Sequence, residues 1–229
     1  MQRCYILYTS GSTGVAKGVA ISHGSLGNYM RWANGYYFGE GSGYDFSFFT
    51  SLGFDLTLTS VLSSWMRGDK VKVYQEGDSS SSLKSMFGEG FIRAVKLTPS
   101  HIRMLKNLGV FSTQVSVAII GGEEMDWEQV SVLRRLSPGM RIYNEYGPTE
   151  ATIGCTVWEA GEKEGSIKIG RPISNVQVYV VDQYGHRQPV GVWGELWIGG
   201  AGLSSGYVND PVQTSVRFIE DGRYGRVYR

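Results

Sequence analysis

The sequence predicts an α/β fold, in which a mostly parallel β-sheet flanked by helices is followed by a small antiparallel sheet or barrel. In the first part of the chain, short apolar runs of β type alternate with segments of helical periodicity. This alternation is typical of a parallel sheet covered on both faces. After about residue 160, short runs of alternating polarity are separated by Gly, Pro, Asp and Asn, which indicates antiparallel strands. We therefore predict an α/β part over residues 1–160 and a β-rich, barrel-like part over residues 161–229.

The first elements are predicted from a change in the spacing of the apolar residues. Two apolar runs around a polar loop predict strand, loop and strand over residues 4–8, 9–18 and 19–21. From Ser22 the apolar residues recur every three to four positions, as on one face of a helix. Ser22 or Ser25 suits the N-terminal cap, because a hydroxyl accepts a hydrogen bond from the first backbone amides. Gly35 is predicted to close this helix.

Strands and helices continue to alternate along the chain. The apolar stripe that stops at Gly68 predicts a second helix, since glycine is common just beyond a helix end. From Ile167 onward, no helix is predicted before the Asp210 region. The other predicted helices cover residues 100–108 and 125–136, and the other predicted strands lie near residues 46–49, 71–74, 95–98, 117–120, 141–144, 176–181 and 194–198.

Composition and charge exclude several classes of protein. With 22 basic and 21 acidic residues, the chain lacks the broad positive field that nucleic-acid binding requires. No run reaches the roughly 18 apolar residues of a membrane span. Cys4 and Cys155 are too few for a disulfide framework and lack the spacing of a zinc site. We therefore expect a cytoplasmic protein whose partners include neither nucleic acid nor a membrane.

The glycine-rich loop of residues 9–18 is the strongest local signal for ligand binding. Loops rich in Gly, Ser and Thr present backbone amides and hydroxyls that hold phosphate oxygens, and Lys17 adds a positive charge. The loop is neither a Walker loop nor a dinucleotide-binding fingerprint. From the residues alone, a phosphate site and a mobile hairpin loop without a ligand both remain open.

Four segments, in the same order along the chain, resemble motifs of the adenylate-forming enzymes. This superfamily contains acyl-CoA synthetases, luciferases and the amino-acid adenylation domains of nonribosomal peptide synthetases. The residues of the four segments most resemble the motifs of the last of these. The segments are YTSGSTG with KGV in residues 8–19, NEYGPTE in residues 144–150, GRPI in residues 170–173, and GELWIGG with the later GY, Asn209, Pro211 and Phe218 in residues 194–218. The resemblance covers nearly the whole chain and implies part of the N-terminal domain of these enzymes.

The resemblance implies an ATP site with Mg²⁺ as a second cofactor. By the first motif, the β- and γ-phosphates are held by Thr9, Ser10, Gly11, Ser12, Thr13 and Gly14. By the second motif, Thr149 contacts the α-phosphate and Glu150 binds Mg²⁺, and these two residues with Lys17 are the implied catalytic set. The residues alone leave another interpretation open, because Pro148 followed by Glu150 is also an ordinary helix start.

Three further residues are assigned to the adenine by the resemblance. Tyr146 stacks on the base, Asn144 hydrogen-bonds to its edge, and Gly122 allows its close approach. A tyrosine after a strand is otherwise commonly part of a packed core. Both interpretations of Tyr146 stay open.

In the family, an aspartate after a phenylalanine marks the amino-acid pocket, and Phe54-Asp55 lies at that place. The resemblance implies that the Asp55 carboxylate anchors the α-ammonium group of the substrate. An aspartate before a helical stripe is alternatively an N-terminal cap. By the same resemblance, the pocket is lined by Asp55, Leu56, Thr59, Lys96, Ile119, Gly121, Glu145, Ile153 and Gly154.

Two of the lining residues, Lys96 and Glu145, carry opposite charges. Burying both charges in one small cavity costs free energy unless they pair with each other or with polar groups of a ligand. A carboxamide suits both, because its oxygen accepts from Lys96 and its NH₂ donates to Glu145, and the set resembles family pockets assigned to asparagine. Asparagine is the predicted substrate, followed by aspartate or glutamine. The alternative is a structural ion pair away from the cavity.

The resemblance implies a ligase for nonribosomal peptide synthesis, including antibiotic biosynthesis, that joins an amino acid to AMP and releases pyrophosphate. Its aminoacyl product would pass to a carrier domain. The family's segments before the glycine loop and after residue 229, including the mobile domain with the catalytic lysine, have no counterpart in the sequence. We therefore expect a specificity-carrying core fragment that needs the remainder of the adenylation domain and is inactive or weak alone. The alternatives are an acyl- or aryl-CoA ligase and a non-catalytic nucleotide-binding fragment.

Overall fold

A computed structural model of the chain describes residues 2–9, 16–74, 79–163 and 165–229. Five residues predicted to hold phosphates lie outside the described residues, namely Ser10, Gly11, Ser12, Thr13 and Gly14. The chain divides into two compact units. The first comprises Met1–Tyr29, Gly147–Cys155 and Pro172–Arg229, and the second comprises Met30–Tyr146 and Thr156–Arg171. The predicted domain boundary at residue 160 stays a prediction.

The N-terminal strands form a two-stranded antiparallel sheet in the first unit. β1 (Arg3–Thr9) pairs with β2 (Lys17–Ser22). In this register Thr9 lies opposite Lys17. The register therefore brings together the two ends of the glycine-rich loop.

The first helix begins as predicted and ends differently. α1 (His23–Ala33) follows Ser22, whose hydroxyl oxygen accepts a hydrogen bond from the backbone amide of Ser25 at 3.0 Å. The prediction that Gly35 closes the helix is wrong, because the chain continues into a π-helical turn over Asn34–Phe38. A π-helical turn inserts one extra residue per turn, and such insertions are frequent at functional sites.

The second unit is built on a mostly parallel sheet. Its strands are β3 (Phe46–Phe48), β4 (Val71–Val73), β5 (Ala94–Leu97), β6 (Val117–Gly121), β7 (Arg141–Tyr146) and β8 (Thr156–Glu159), and the short β9 (Arg171–Pro172) spans the boundary between the units. The order is β4-β3-β5-β6-β7-β8. Neighbours from β4 to β7 are parallel, and β8 is antiparallel to β7.

Helices of the second unit begin and end at recognisable signals. They are α2 (Leu56–Arg67), α3 (Ser79–Gly88), α4 (Pro99–Leu105) and α5 (Trp127–Leu136). α2 ends at Gly68, which has a φ of 75° in the left-handed region that favours glycine. At the start of α5, the Asp126 carboxylate accepts hydrogen bonds from the backbone amides of Glu128 and Gln129.

The two faces of the parallel sheet carry different residues, because successive side chains on a strand alternate between faces. One face packs in a hydrophobic core with residues of α3, α4 and α5; its strand residues are Val95, Leu97, Ala118, Ile120 and Ile142. The opposite face carries Lys96, Ile119, Gly121, Tyr143 and Glu145, which the strand register aligns across β5, β6 and β7. Four of the predicted pocket residues therefore share one face.

The first unit also contains a small antiparallel sheet. Its strands are β10 (Val176–Val181), β11 (Glu195–Gly200), β12 (Phe218–Asp221) and β13 (Gly225–Tyr228), in the order β10-β11-β13-β12. α6 (Pro211–Arg217) begins after Asp210, whose carboxylate accepts from the Gln213 amide at 2.9 Å. The sheet packs around Val181, Trp197 and Val227. With this sheet and the mostly parallel one, the predicted fold class is confirmed.

Across the residues that the structure describes, none of the helices combines the length and the apolar character needed to span a membrane.

Candidate functional site

The second unit contains a cavity of about 570 Å³ at the carboxyl ends of β3, β5 and β6. This edge of a parallel sheet is the usual place for ligands in open α/β folds. The starts of α2, α3 and α4 complete its wall. The lining residues are Phe49, Thr50, Ser51, Phe54, Asp55, Leu56, Ser79, Ser82, Thr98, Ser100, His101, Met104, Gly122 and Glu123. They include two predicted substrate residues, Asp55 and Leu56, and one predicted nucleotide residue, Gly122.

Asp55 lies at the start of α2 and is partly buried in this cavity. Its backbone has helical angles, φ −64° and ψ −26°, and within the described residues its carboxylate does not cap the helix. The alternative role as an N-terminal cap is therefore not realised. The loop before Asp55 is tied to α2 instead by Thr57, whose hydroxyl donates to the Ser51 carbonyl at 2.8 Å.

Glu123, which also lines the cavity, is held by several polar residues. Its carboxylate accepts from the backbone amide of Ser100 and from the guanidinium of Arg103, each at 3.1 Å. The imidazole of His101 also lines the cavity, and burial holds its pKa below the usual value, against the opposing effect of Glu123. Burial of His101 therefore favours its uncharged form.

Lys96 and Glu145 form a buried ion pair on the face of the sheet described above. Their side chains are 1% and 2% exposed, and the Lys96 ammonium contacts Glu145 Oε1. Glu145 Oε2 accepts a hydrogen bond from the hydroxyl of Tyr37. Neither charged residue is among those that line the 570 Å³ cavity, whereas their direct contact matches the ion pair that the sequence left open. A role in the substrate pocket stays a prediction.

Tyr37 was missed by the sequence analysis. It lies in the π-helical turn and is fully buried. A run of aromatic residues at a helix end was the available signal, but aromatic residues at such a place usually indicate core packing.

Close approach of β6 and β7 depends on Gly121. A Cβ atom there would lie 2.8 Å from the carbonyl oxygen of Glu145, which is shorter than a normal contact. The remaining predicted pocket residues of this unit, Thr59 and Ile119, are fully buried. Ile153 and Gly154 belong to the first unit, where Ile153 has a φ of 69°.

The predicted adenine residues lie at the end of β7. Asn144 is buried on the opposite face from Glu145, and its amide donates to the carbonyl of Lys168 at 2.8 Å. Tyr146, the last residue of the strand, is 37% exposed. The alternative of a tyrosine packed inside the core is therefore not realised, and part of its ring is accessible.

In the first unit, Glu150 lies in a single 3₁₀ turn, Thr149–Ala151. The ordinary helix start considered for Pro148 is not formed, because Pro148 is extended and the turn stops at Thr152, which has a φ of 59°. Glu150 is nevertheless buried. Its position comes from this turn and from side chains distant in sequence.

Tyr207 holds the Glu150 carboxylate. Its hydroxyl donates to Glu150 Oε1 at 2.7 Å. Burial, together with this hydrogen bond and the Glu150 charge, raises the pKa of Tyr207 far above its usual range. For similar reasons, burial first and the Glu150 charge second, the pKa of Tyr228 is raised to about 12. Both phenols therefore stay protonated and able to donate at neutral pH.

The same segment is joined to β2, which follows the glycine-rich loop. The backbone amide of Val208 donates to the carbonyl of Gly18 at 2.8 Å. The ammonium of Lys17 lies 5.6 Å from the centroid of the Tyr207 ring, within range of a cation–π interaction. Within the first unit, Lys17, Tyr207 and Glu150 thus form one cluster.

Comparison with known proteins identifies the family of the chain. The family described as "AMP-binding enzyme" matches residues 1–208. Bacitracin synthase 3 of Bacillus licheniformis is 40% identical over 220 residues, which are 94% of this chain and 3% of the relative. Tyrocidine synthase 3 of Brevibacillus parabrevis is 34% identical over 221 residues, 95% of this chain and 3% of the relative. The chain therefore spans about 3% of the length of these curated relatives.

A solved structure gives the same result for the fold. It is a holo four-domain nonribosomal peptide synthetase bound to AMP and glycine, with a TM-score of 0.89 at 29% identity. The match covers 100% of this chain and 17% of that chain. The resemblance to adenylation domains of nonribosomal peptide synthetases is thus confirmed, and the chain belongs to the AMP-binding enzyme family.

Proposed function

We propose that this chain acts in the adenylation of an amino acid for nonribosomal peptide synthesis. The observation that carries the proposal is Asp55, a partly buried carboxylate in a cavity at the carboxyl ends of parallel strands. A carboxylate in such a place suits the α-ammonium group that all amino-acid substrates carry. The relative solved with AMP and glycine supports this chemistry. The product would pass to a carrier domain of the same synthetase.

In the proposed reaction, a carboxylate oxygen of the amino acid bonds to the α-phosphorus of ATP. The bond from that phosphorus to the oxygen bridging it to the β-phosphorus breaks, and pyrophosphate leaves. Two anions have to meet, so that catalysis consists mainly of alignment and charge neutralisation. Lys17 supplies positive charge, Thr149 contacts the α-phosphate, and Thr9 with the following loop holds the terminal phosphates. Asn144, Tyr146 and Gly122 are proposed to hold the adenine.

Glu150 is the proposed Mg²⁺ ligand. Magnesium takes hard oxygen ligands, commonly one or two carboxylates completed by phosphate oxygens and water. Glu150 fits this role as a buried carboxylate whose orientation is fixed through Oε1 by Tyr207. When bound, the metal would neutralise charge on the nucleotide phosphates.

Asparagine is the proposed substrate. Lys96 engages one oxygen of Glu145 and keeps further N–H groups, because an ammonium has three donors. A carboxylate likewise accepts several hydrogen bonds, because it has about four lone-pair sites. A carboxamide is able to use both groups at once. Aspartate would bring a second negative charge towards Glu145, and glutamine is longer by one methylene.

An acyl- or aryl-CoA ligase is the competing enzymatic function, and Asp55 separates the two. Fatty and aromatic acids have no ammonium group, so a ligase for them does not require this carboxylate. Asp55→Asn in the full-length protein should lower amino-acid-dependent exchange of pyrophosphate into ATP by at least about a hundredfold, as expected for losing the charge partner of the bound ammonium group.

Glu128→Gln is the matched control, because Glu128 is an exposed carboxylate paired with Lys106. Its exchange rate should equal that of the wild type. Unchanged exchange in Asp55→Asn would contradict the amino-acid proposal, and ATP binding without exchange in the wild type would favour a non-catalytic nucleotide-binding role.

A further inference from the structure

We propose that Tyr37 is a positioning residue that fixes the Glu145 carboxylate and thereby determines which substrate side chain the pocket accepts. The inference rests on the proposed function, since it concerns selectivity in amino-acid adenylation. None of the sequence motifs includes Tyr37. It emerges from the contacts of the π-helical turn.

The Tyr37 ring has a fixed position. It is fully buried and contacts the rings of Trp32 and Tyr143, with centroids 5.2 and 4.9 Å away. Its backbone lies in the π-helical turn Asn34–Phe38, a kind of turn that is frequent at functional sites. The hydroxyl of this ring donates a hydrogen bond to Glu145 Oε2.

Glu145 is consequently held at both oxygens. Lys96 engages Oε1 and Tyr37 donates to Oε2. Rotation of the carboxylate about the Cγ–Cδ bond would break one of these contacts. Because Glu145 is 4% exposed, bulk water does not supply a hydrogen bond in place of the lost one. The lone pairs of the Glu145 carboxylate therefore have set directions.

Fixed directions are the basis of selectivity among similar polar side chains. An acceptor that cannot turn binds an NH₂ donor at one depth and one angle, and rejects donors that arrive displaced by a methylene. The same fixed negative charge disfavours a carboxylate. Without the Tyr37 hydroxyl, Glu145 is free to turn towards Lys96 and to follow a displaced ligand.

Tyr37→Phe removes only the hydroxyl and keeps the packed ring. In the full-length protein, we expect kcat/KM for asparagine relative to glutamine and to aspartate to fall by about tenfold or more, the size expected for losing a hydrogen bond to a charged group. The change should lie in KM for the amino acid. KM for ATP should stay at the wild-type value, which a general structural defect would not produce.

Tyr36→Phe is the matched control from the same turn. Tyr36 is 44% exposed, and its ring stacks on Trp32. This variant should keep the selectivity of the wild type. If Tyr37→Phe disturbs the packing and lowers expression, thermal unfolding of both variants shows the loss of stability. The ratio of kcat/KM between asparagine and the other amino acids is still measured on the folded protein.

The possible outcomes separate the two proposals. Asparagine-dependent exchange in the wild type with unchanged selectivity in Tyr37→Phe would overturn the role of Tyr37 alone. If the wild type activates a different amino acid and Tyr37→Phe changes its selectivity, asparagine is overturned as the substrate and the positioning role of Tyr37 is supported. A wild type that activates no amino acid would overturn both.

Discussion

The Tyr207 hydroxyl donates a 2.7 Å hydrogen bond to Glu150, a residue 57 positions earlier in the chain. This contact joins the second family motif to the fourth within one compact unit. Tyr207 also anchors its segment to β2 through a bridge with Val19. The residue proposed to bind Mg²⁺ is therefore supported from the strand that follows the glycine-rich loop.

Tyr207→Phe should destabilise the protein by about 1–3 kcal/mol, because it leaves a buried carboxylate oxygen without this donor. Chemical denaturation of both proteins gives the difference. Tyr184→Phe is the control, since Tyr184 is 72% exposed and should change the free energy of unfolding by less than about 0.5 kcal/mol. Equal effects of the two variants would contradict the structural role of Tyr207.

Tyr228 should make stability depend on pH in the alkaline range. Its pKa in the folded state is about 12, above the ordinary value of 10.0. Its contribution is complete below pH 10.0 and is lost between that pH and about 12, because the unfolded chain releases the proton first. The free energy of unfolding of Tyr228→Phe should fall less over this window than that of the wild type. Parallel pH profiles would contradict the raised pKa.

Lys96→Met should destabilise the protein by about 3–5 kcal/mol, since it leaves a buried negative charge without its ammonium partner. Lys106→Met is the control. Lys106 pairs with Glu128 at the surface, where both side chains are about half exposed, and exposed pairs contribute about 0–1 kcal/mol. Denaturant unfolding measures both. A loss below about 1 kcal/mol for Lys96→Met would show that Glu145 is solvated.

Gly121→Ala should separate β6 from β7 and destabilise the protein by about 1–3 kcal/mol, the usual effect of an added methyl group in a packed region. The new Cβ would meet the backbone oxygen of Glu145 at 2.8 Å, and backbone cannot move aside as a flexible side chain can. Gly139→Ala is the control, because its Cβ would meet no atom within 4 Å. A melting temperature equal to the control's would contradict this close approach.

Local signals made much of the fold predictable. The left-handed end at Gly68 depends on one residue and its neighbours, so the sequence was sufficient to locate it, and the cap of α1 was narrowed to Ser22 or Ser25, of which the structure shows Ser22. Lys96 and Glu145 were assigned to one pocket by the family resemblance alone, and the register of β5, β6 and β7 places them on the same face of the sheet. The strand order was not predictable, because it depends on pairing between distant segments.

The contacts that support the site were not predictable for the same reason. Lys96 and Glu145 are 49 positions apart, and Tyr37 is 108 positions from Glu145. The π-helical turn that aims Tyr37 has no sequence signature comparable to a cap. Pro148 was a misleading signal, since its fixed φ also suits the extended residue before a single 3₁₀ turn.

Exchange of pyrophosphate into ATP in the full-length protein, with each of the proteinogenic amino acids supplied alone, measures which side chain the pocket accepts. Asparagine should give the highest rate, about tenfold or more above aspartate and glutamine, because aspartate lacks the donor that Glu145 needs and glutamine carries its carboxamide one methylene further out. The highest rate with an apolar amino acid would contradict it, and would mean that the buried pair does not face the substrate.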